Sequence, residues 1–162
     1  AHARVEGIDA TVAARVSERL ALTASVELLD ARYRDFPNGG GLGVDLDGNR
    51  LQAAPRASGT LTLDYRMPVR AGELALHVQY SGRGSAYMQP TNRPLDRLDS
   101  RAVIDGSLRW RPAVTSSWTL SLWARNLLDA EYLSRRGRDF LGNQYLKLGD
   151  PRTYGIEIGY GL

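Results

Sequence analysis

Arginine and aromatic side chains are interleaved in three loop-like segments of the chain, 34–55, 84–99 and 129–151. The arginines are Arg50, Arg93, Arg97, Arg135, Arg136 and Arg138, and the aromatic residues are Tyr87, Tyr132, Phe140 and Tyr145. Guanidinium groups pair with acidic oxygens and aromatic rings stack, so this combination predicts a surface that binds an anionic, aromatic-bearing ligand. The candidate ligand contacts are Tyr87, Arg93, Arg135 and Arg136. An ordinary solvated loop is the alternative interpretation.

Catalytic and metal-binding chemistry find little support in the sequence. The chain has no cysteine, and its two histidines are His2 near the start and His77 among polar neighbours. Neither histidine has the spacing of a metal site, and no residue near His77 in sequence would activate it as a base. We therefore expect no catalytic residue, no metal site and no cofactor.

The composition is that of one folded unit without a helical membrane anchor. The 162 residues are 43% hydrophobic and 24% charged, with 17 glycines and 7 prolines. This length is enough for one ordinary core, and no run of about 18 apolar residues predicts a transmembrane helix. The formal net charge of +3 is too small to argue for a nucleic-acid partner, and we expect none.

Alternation of apolar and polar residues recurs along the chain, which favours β-strands over helices. The alternation predicts seven strands, at about 4–16, 20–33, 56–67, 73–83, 100–111, 118–128 and 152–162. Most reach the roughly 9–11 residues that a tilted strand needs to cross a bilayer. The links between them alternate strictly between short and long, as in an up-and-down barrel of the outer membrane.

Each predicted strand has one uncharged face and one polar face. The uncharged rows include Ile8, Val26, Leu61, Tyr80, Leu108, Leu122 and Ile156, and the polar rows include Glu27, Asp64, Arg109 and Glu157. A charge at the bilayer midplane costs about 2–4 kcal/mol, so we expect the uncharged rows to face lipid and the polar rows to face the lumen. An interfacial aromatic girdle is expected near the strand ends, from Tyr65, Trp110, Trp118 and Tyr160.

Four short motifs lie at the ends of the predicted strands. They are Leu29–Tyr33, Gln52–Arg56, Asn126–Tyr132 and Gly149–Gly155. In this order and spacing, they resemble the carboxy-terminal part of a TonB-dependent outer-membrane receptor, and the resemblance covers essentially the whole chain. Asn126 and Asp129 can bond to nearby backbone where a strand ends, and Tyr132 can lie at the interface. Leu162 departs from the family, whose members commonly end in an aromatic residue that the barrel-assembly machinery reads.

The resemblance implies a fold, a set of partners and a location. The fold would be all-β, with residues 1–162 forming about seven strands of the antiparallel, up-and-down wall of a larger, 22-stranded transmembrane barrel. The plug domain and the TonB-contacting segment would lie outside this stretch. The receptor would sit in the outer membrane of a Gram-negative bacterium, among lipid and lipopolysaccharide. It would import a nutrient chelate, above all a ferric siderophore, with energy delivered through TonB, and would not be an enzyme.

Two other classes of protein stay open at this point. A passive outer-membrane porin or other barrel transporter would share the two-faced strands. A soluble β-sandwich binding module would also explain the alternation, although it would not explain the strand lengths or the regular change between short and long links.

Overall fold

The computed structural model describes residues 1–113, 117–138 and 141–161, and these residues form β-structure almost throughout. In chain order the strands are β1 (His2–Arg15), β2 (Leu20–Asp35), β3 (Ala57–Val69), β4 (Gly72–Arg83), β5 (Ala86–Tyr87), β6 (Arg97–Leu98), β7 (Arg101–Pro112), β8 (Trp118–Arg125), β9 (Leu133–Arg138), β10 (Gln144–Leu148) and β11 (Thr153–Tyr160). One turn of 3₁₀ helix covers Pro94–Asp96. Within the described ranges, no helix is long and apolar enough to cross a membrane.

The seven long strands form a single antiparallel sheet in the order β1-β2-β3-β4-β7-β8-β11. Each of these strands pairs with the next long strand along the chain, so all the tight links lie at one end of the sheet and all the long segments at the other. We call these the turn end and the loop end. The predicted seven-stranded meander and its alternation of short and long links are confirmed.

The structure differs from the prediction inside the long segments. β5 pairs with β6 and β9 pairs with β10, and none of these four short strands was predicted. β5 and β6 are too short to show a period, and β9 carries three arginines instead of an alternating pattern. The predicted strand 118–128 is too long at its second end, because Asn126 turns to a φ of 49° and β8 stops at Arg125.

Cross-strand pairing keeps the two faces separate across the sheet. One uncharged row runs through four strands as Leu76, Leu108, Leu122 and Ile156. One polar row runs through four strands as Thr23, Thr62, Gln79 and Asp105. A slip of one residue in any strand would move charges into the uncharged rows, so the sequence disfavours every register shift by an odd number of residues. The two faces predicted from the sequence are confirmed.

The uncharged face is not covered by any other part of the described chain. Its large side chains stay exposed, for example Ile8 at 67% and Ile156 at 69%. Within the described ranges the buried apolar residues are Ala31, Leu46, Ala86 and Leu98, and these lie at the loop end. A soluble sandwich would bury one face of this sheet against a second sheet. The sheet therefore has the form of a barrel wall whose uncharged face needs an apolar solvent.

Aromatic side chains lie at the turn end of the uncharged face. Trp118 and Tyr160 are direct cross-strand partners, and their ring centroids are 4.9 Å apart. Trp110 pairs with Leu120 at the same end of the sheet. This arrangement is the one expected of an interfacial girdle, where amphipathic rings meet the headgroup layer.

A charge introduced on the uncharged face should destabilise the folded protein far more than the same charge on the polar face. For the full-length protein that carries this chain, folded in lipid bilayers, we expect Leu61→Arg to lower the free energy of unfolding by about 2–4 kcal/mol. Thr62→Arg, one residue further along β3, is the matched control and should change it by about 0.5 kcal/mol or less. Urea titration in bilayers measures both, and equal losses would contradict the assignment of faces.

Candidate functional site

Asn126 organises the base of the loop between β8 and β11. Its Oδ1 accepts a hydrogen bond from the Ala130 N–H at 2.9 Å. Its Nδ2 donates to the carbonyls of Ala130 and Asp150, both at 3.0 Å. Asn126 is only 3% exposed, so these bonds replace water and cannot be lost without leaving buried polar groups unpaired.

Asp129 and Tyr132 complete this junction. The Arg152 N–H donates to Asp129 Oδ1 at 3.0 Å, and the Gly149 N–H donates to the Tyr132 carbonyl at 2.7 Å. The Tyr132 ring lies over Gly149, where a Cβ would overlap it, and the Arg101 guanidinium lies 4.5 Å from the ring centroid. The prediction that Asn126 and Asp129 bond to nearby backbone is confirmed. The structure adds that the third and fourth sequence motifs are one interlocked unit.

Arg50 and Asn92 join the other two loops. The Arg50 N–H donates to Asn92 Oδ1 at 2.8 Å, and Asn92 Nδ2 donates back to the Arg50 carbonyl at 2.9 Å. The Arg50 guanidinium donates to the carbonyls of Ala54 and Ser85, at 2.9 and 3.0 Å. These bonds fix the loop between β2 and β3 against the loop between β4 and β7.

Tyr87, a candidate ligand contact, is positioned by this joint. Its carbonyl accepts a bond from the Ala53 N–H at 2.7 Å, and the Arg50 guanidinium lies 5.7 Å from its ring centroid. Burial lowers the pKa of Arg50, and repulsion from nearby Arg56 lowers it further. Ala86, the neighbour of Tyr87, is fully buried, so packing holds the backbone next to Tyr87 in place.

Arg93 and Arg136 lie on or against the same segment, Ala86–Leu98. Arg93 is exposed and directly precedes the 3₁₀ turn. Arg136, from β9, reaches across with Nη1 and donates to the carbonyls of Leu95 and Arg97, both at 3.1 Å. The structure therefore brings three of the four candidate residues together, Tyr87, Arg93 and Arg136.

A buried carboxylate and two unpaired donors lie where β9 contacts the Ala86–Leu98 segment. Asp96 is 3% exposed, and Arg138 Nε lies 3.9 Å from its Oδ1, too far for a hydrogen bond. The Nε atoms of Arg136 and Arg138 are buried, and no acceptor in the described chain bonds either of them. Buried N–H donors of this kind are normally satisfied, so an acceptor oxygen from outside the described chain would complete the junction.

Arg135 lies on the opposite face of the β9–β10 hairpin. Neighbouring residues of a strand point to opposite faces, and Arg136 faces the Ala86–Leu98 segment. Arg135 is paired across the hairpin with Lys147, and its guanidinium lies 5.9 Å from the Tyr145 ring centroid. The structure therefore separates Arg135 from the other three candidate residues.

Sequence reasoning missed Asn92 and Asp96 as site residues. Asn92 adopts a φ of 51°, a conformation that asparagine tolerates better than most residues, and its partner Arg50 lies 42 residues away. No local pattern could have paired them. Phe140 and Leu162, named in the sequence analysis, lie outside the described residues. Among the described residues, no group of three or more histidine or acidic side chains could hold a metal ion.

The family is identified by the barrel wall and its loop-end motifs. A meander with one uncharged face and one polar face is the wall of a β-barrel. The sequence model of the family described as "TonB dependent receptor-like, beta-barrel" matches residues 1–127. The chain belongs to the TonB-dependent receptor β-barrel family. This family and its solved structural neighbours are transport receptors rather than enzymes.

Solved structures with the same fold are TonB-dependent receptors of much greater length. The ferric yersiniabactin uptake receptor of Yersinia pestis superimposes over 98% of this chain with a TM-score of 0.83 and 19% identity. The siderophore receptor PiuA and the ferric preacinetobactin receptor, both of Acinetobacter baumannii, also cover 98%, with TM-scores of 0.79 and 0.76 and identities of 17% and 24%. The chain spans 23%, 22% and 22% of these three proteins. At these identities the similarity concerns the fold alone.

Removal of the Asn126 side chain should loosen the loop between β8 and β11. Asn126→Ala removes the side-chain partner of the Ala130 N–H and of the Ala130 and Asp150 carbonyls, which should lower the free energy of unfolding by about 1–3 kcal/mol. Asn126→Asp should cost at least as much, because it keeps the acceptor for the Ala130 N–H but points a buried carboxylate oxygen at the carbonyls of Ala130 and Asp150. Urea unfolding of the full-length protein in bilayers, with hydrogen exchange of residues 126–152, measures both.

Asn38→Ala is the matched control for this experiment. Asn38 also has a positive φ, of 54°, but it is exposed. The Asn38 side chain accepts one exposed bond, from the Gly43 N–H at 2.7 Å, so the difference between the two alanine variants measures what the Asn126 bonds contribute beyond one exposed bond. A loss at Asn126 no larger than the loss at Asn38 would contradict this role.

Proposed function

We propose that this chain forms part of the barrel wall and the outer loop surface of a receptor that imports a nutrient chelate across the outer membrane of a Gram-negative bacterium. The cargo is above all a ferric siderophore, and the energy comes through TonB. The family assignment supports this proposal, and the three solved receptors are named for uptake or binding of siderophores or their ferric complexes.

The whole protein is proposed to contain more than this sheet. β1 and β11 are the two edges of the seven-stranded sheet, and the chain covers less than a quarter of each solved receptor. A spanning barrel needs partners for both edges, since unpaired backbone groups are costly in lipid. We propose that the remaining strands, the plug domain and the TonB-contacting segment belong to the same receptor.

The observation that carries the proposal is the cationic surface at the loop end. We define the loop-end surface as Tyr87, Arg93, Arg97, Arg136 and Arg138. Within the described chain its four arginines outnumber the acidic groups that touch them, Asp96 and Asp99. Acidic oxygens of the cargo would accept charge-assisted bonds, which are about twice as strong as neutral ones, from the exposed guanidinium groups of Arg93 and Arg97.

The rest of the loop end would hold this surface ready for the cargo. The Arg50–Asn92 joint fixes Tyr87, and the Asn126 junction fixes the base of the loop that carries β9. Because these contacts are made within the chain itself, less freedom would be lost on binding, which favours affinity. The exposed guanidinium of Arg93 would add a contact at the rim.

The proposal is tested by uptake of ⁵⁵Fe in cells that lack other ferric-chelate receptors and express the full-length protein. The probes are ⁵⁵Fe loaded on one catecholate, one hydroxamate and one carboxylate siderophore. At least one should enter, and entry should cease when TonB is deleted. Arg93→Ala and Arg136→Ala should each raise the half-maximal concentration about three- to tenfold, since each removes a contact to a charged group.

Arg34→Ala is the matched control, because Arg34 is an exposed arginine near the loop end of β2 and outside the loop-end surface. It should leave uptake unchanged. Uptake that continues without TonB would refute the energised mechanism. Arg93 and Arg136 variants that match the Arg34 variant would refute the ligand surface.

A further inference from the structure

A depression in the polar face of the sheet lies over Ser107, in the middle of β7. Its volume is about 300 Å³, and His77 of β4, Trp123 of β8 and Arg109 of β7 are among the residues that line it. The strand register explains it, because Ser107 is the cross-strand partner of both His77 and Trp123. A small residue between two large rings leaves a gap, and the volume lies at the lower end of the usual range for small-molecule sites, about 300–1,000 Å³. We call this gap the Ser107 depression.

The two rings beside the Ser107 depression are held by contacts within the chain. His77 Nδ1 donates a hydrogen bond to Asp64 Oδ1 of β3 at 2.8 Å. The Trp123 ring lies over its cross-strand partner Gly155, where a Cβ would overlap the ring. The ring therefore leans away from Ser107 and leaves the space above the serine open. Because both rings are already fixed, less freedom would be lost when a flat molecule binds between them.

Two arginines lie on the turn-end side of the Ser107 depression. Arg109, two residues after Ser107, donates from Nε to Ser121 Oγ at 3.3 Å. Arg66 faces Arg109 across Ala75, because Ala75 is the cross-strand partner of both. Both arginines are exposed, and no ion pair among the described residues involves either of them. An acidic group above Ala75 would therefore lie between two guanidinium groups with free donors.

The carboxylates that line the Ser107 depression lie on its other sides. Asp105 is on the loop-end side, and its Oδ1 accepts a hydrogen bond from the Asn126 N–H at 2.8 Å. Glu157 is exposed on β11, and within the described chain no ion pair joins it to Arg109. A ligand whose acidic group points toward Ala75 would point away from both carboxylates. The charges therefore favour one orientation of an acidic ligand.

We infer that the Ser107 depression is a binding site for a planar aromatic acid on the inner wall of the barrel. The ring would lie against His77 and Trp123, and its acidic oxygens would accept charge-assisted bonds from Arg66 and Arg109. The aromatic acid is a free molecule or one end group of a larger chelate, which present the same chemistry. The inference goes beyond the proposed function, since none of these residues belongs to the loop-end surface.

The test is a ligand-observed NMR titration of the full-length receptor in detergent. The probes are benzoate, cyclohexanecarboxylate, which keeps the charge but lacks the aromatic ring, and benzamide, which keeps the ring but carries no charge. Benzoate should bind saturably and about three- to tenfold more tightly than either of the other two, since only benzoate can both stack and pair with the arginines.

Two variants of the depression are compared with two matched controls. Trp123→Leu and Arg109→Gln should each weaken benzoate binding about three- to tenfold. Trp118→Leu, on the uncharged face of β8, and Arg111→Gln, on the polar face two residues further along β7, should bind benzoate as the parent does. Because Arg109→Gln replaces an exposed polar-face residue, it keeps the test decisive if the loss of Trp123 disturbs folding.

Four outcomes would overturn the inference. The parent would show no saturable benzoate binding, as expected if another part of the receptor covers the depression. Cyclohexanecarboxylate would bind as tightly as benzoate. Arg109→Gln would match Arg111→Gln. Arg93→Ala, a variant of the loop-end surface, would abolish benzoate binding and so assign it to that surface.

Competition then distinguishes the two sources of the aromatic acid. Displacement of benzoate by the iron-loaded catecholate siderophore would identify the end group of a chelate, and the lack of displacement would identify a free acid. The benzoate titration uses neither iron uptake nor TonB, so it stays interpretable if the ⁵⁵Fe uptake test fails. If ⁵⁵Fe uptake succeeds and benzoate does not bind, only the site at Ser107 is refuted.

Discussion

The separation of charged from uncharged residues on alternate strand positions is the constraint on which this structure depends. Successive side chains of a strand point to opposite faces of the sheet. Once two strands are paired, the uncharged row of each further strand must lie on the same face as theirs. Across the sheet the pairing joins uncharged row to uncharged row, as from Leu76 to Ile156. The strands therefore pair with like faces on the same side, and this pairing produces a wall with an apolar outside. The positions of the turns, the aromatic residues and the loops all follow from it.

The loop end is held by a different kind of interaction. Apart from four small or medium apolar residues, what is buried in the described loops is polar, and each loop is tied to another by side chains that satisfy backbone groups. The Arg50–Asn92 joint and Arg136 make such links between loops, and Asn126 joins the two ends of its own loop. A surface built in this way stays ordered while its outer arginines remain free for a ligand. It also lets one hairpin present different chemistry on its two faces, with Arg136 on one side and Arg135 on the other.

The sequence predicts the wall much better than the loops, for a physical reason. A period of two repeated over long strands is a local signal, and the cost of misplacing a charge in lipid reinforces it at every position. β5 and β6 have no such signal, because two-residue strands form only where distant segments bring them together. The separation of Arg135 from Arg136 was hidden for a similar reason, since 129–151 was interpreted as a loop and not as a hairpin. Asn126 and Asp129 were predictable because a turn motif is again local.

We assign the uncharged face of the sheet to lipid and the polar face to water. The chain contains no cysteine, so single cysteines can be placed at 60, 61, 62, 63 and 64 of β3 in the full-length protein and spin-labelled. In bilayers, a lipid-soluble paramagnetic relaxation agent should relax the labels at 61 and 63 most strongly. A water-soluble nickel complex should relax the labels at 60, 62 and 64 most strongly. We expect this alternation with a period of two along β3. Equal access of both relaxation agents along the strand, or the reverse alternation, would contradict this assignment of faces.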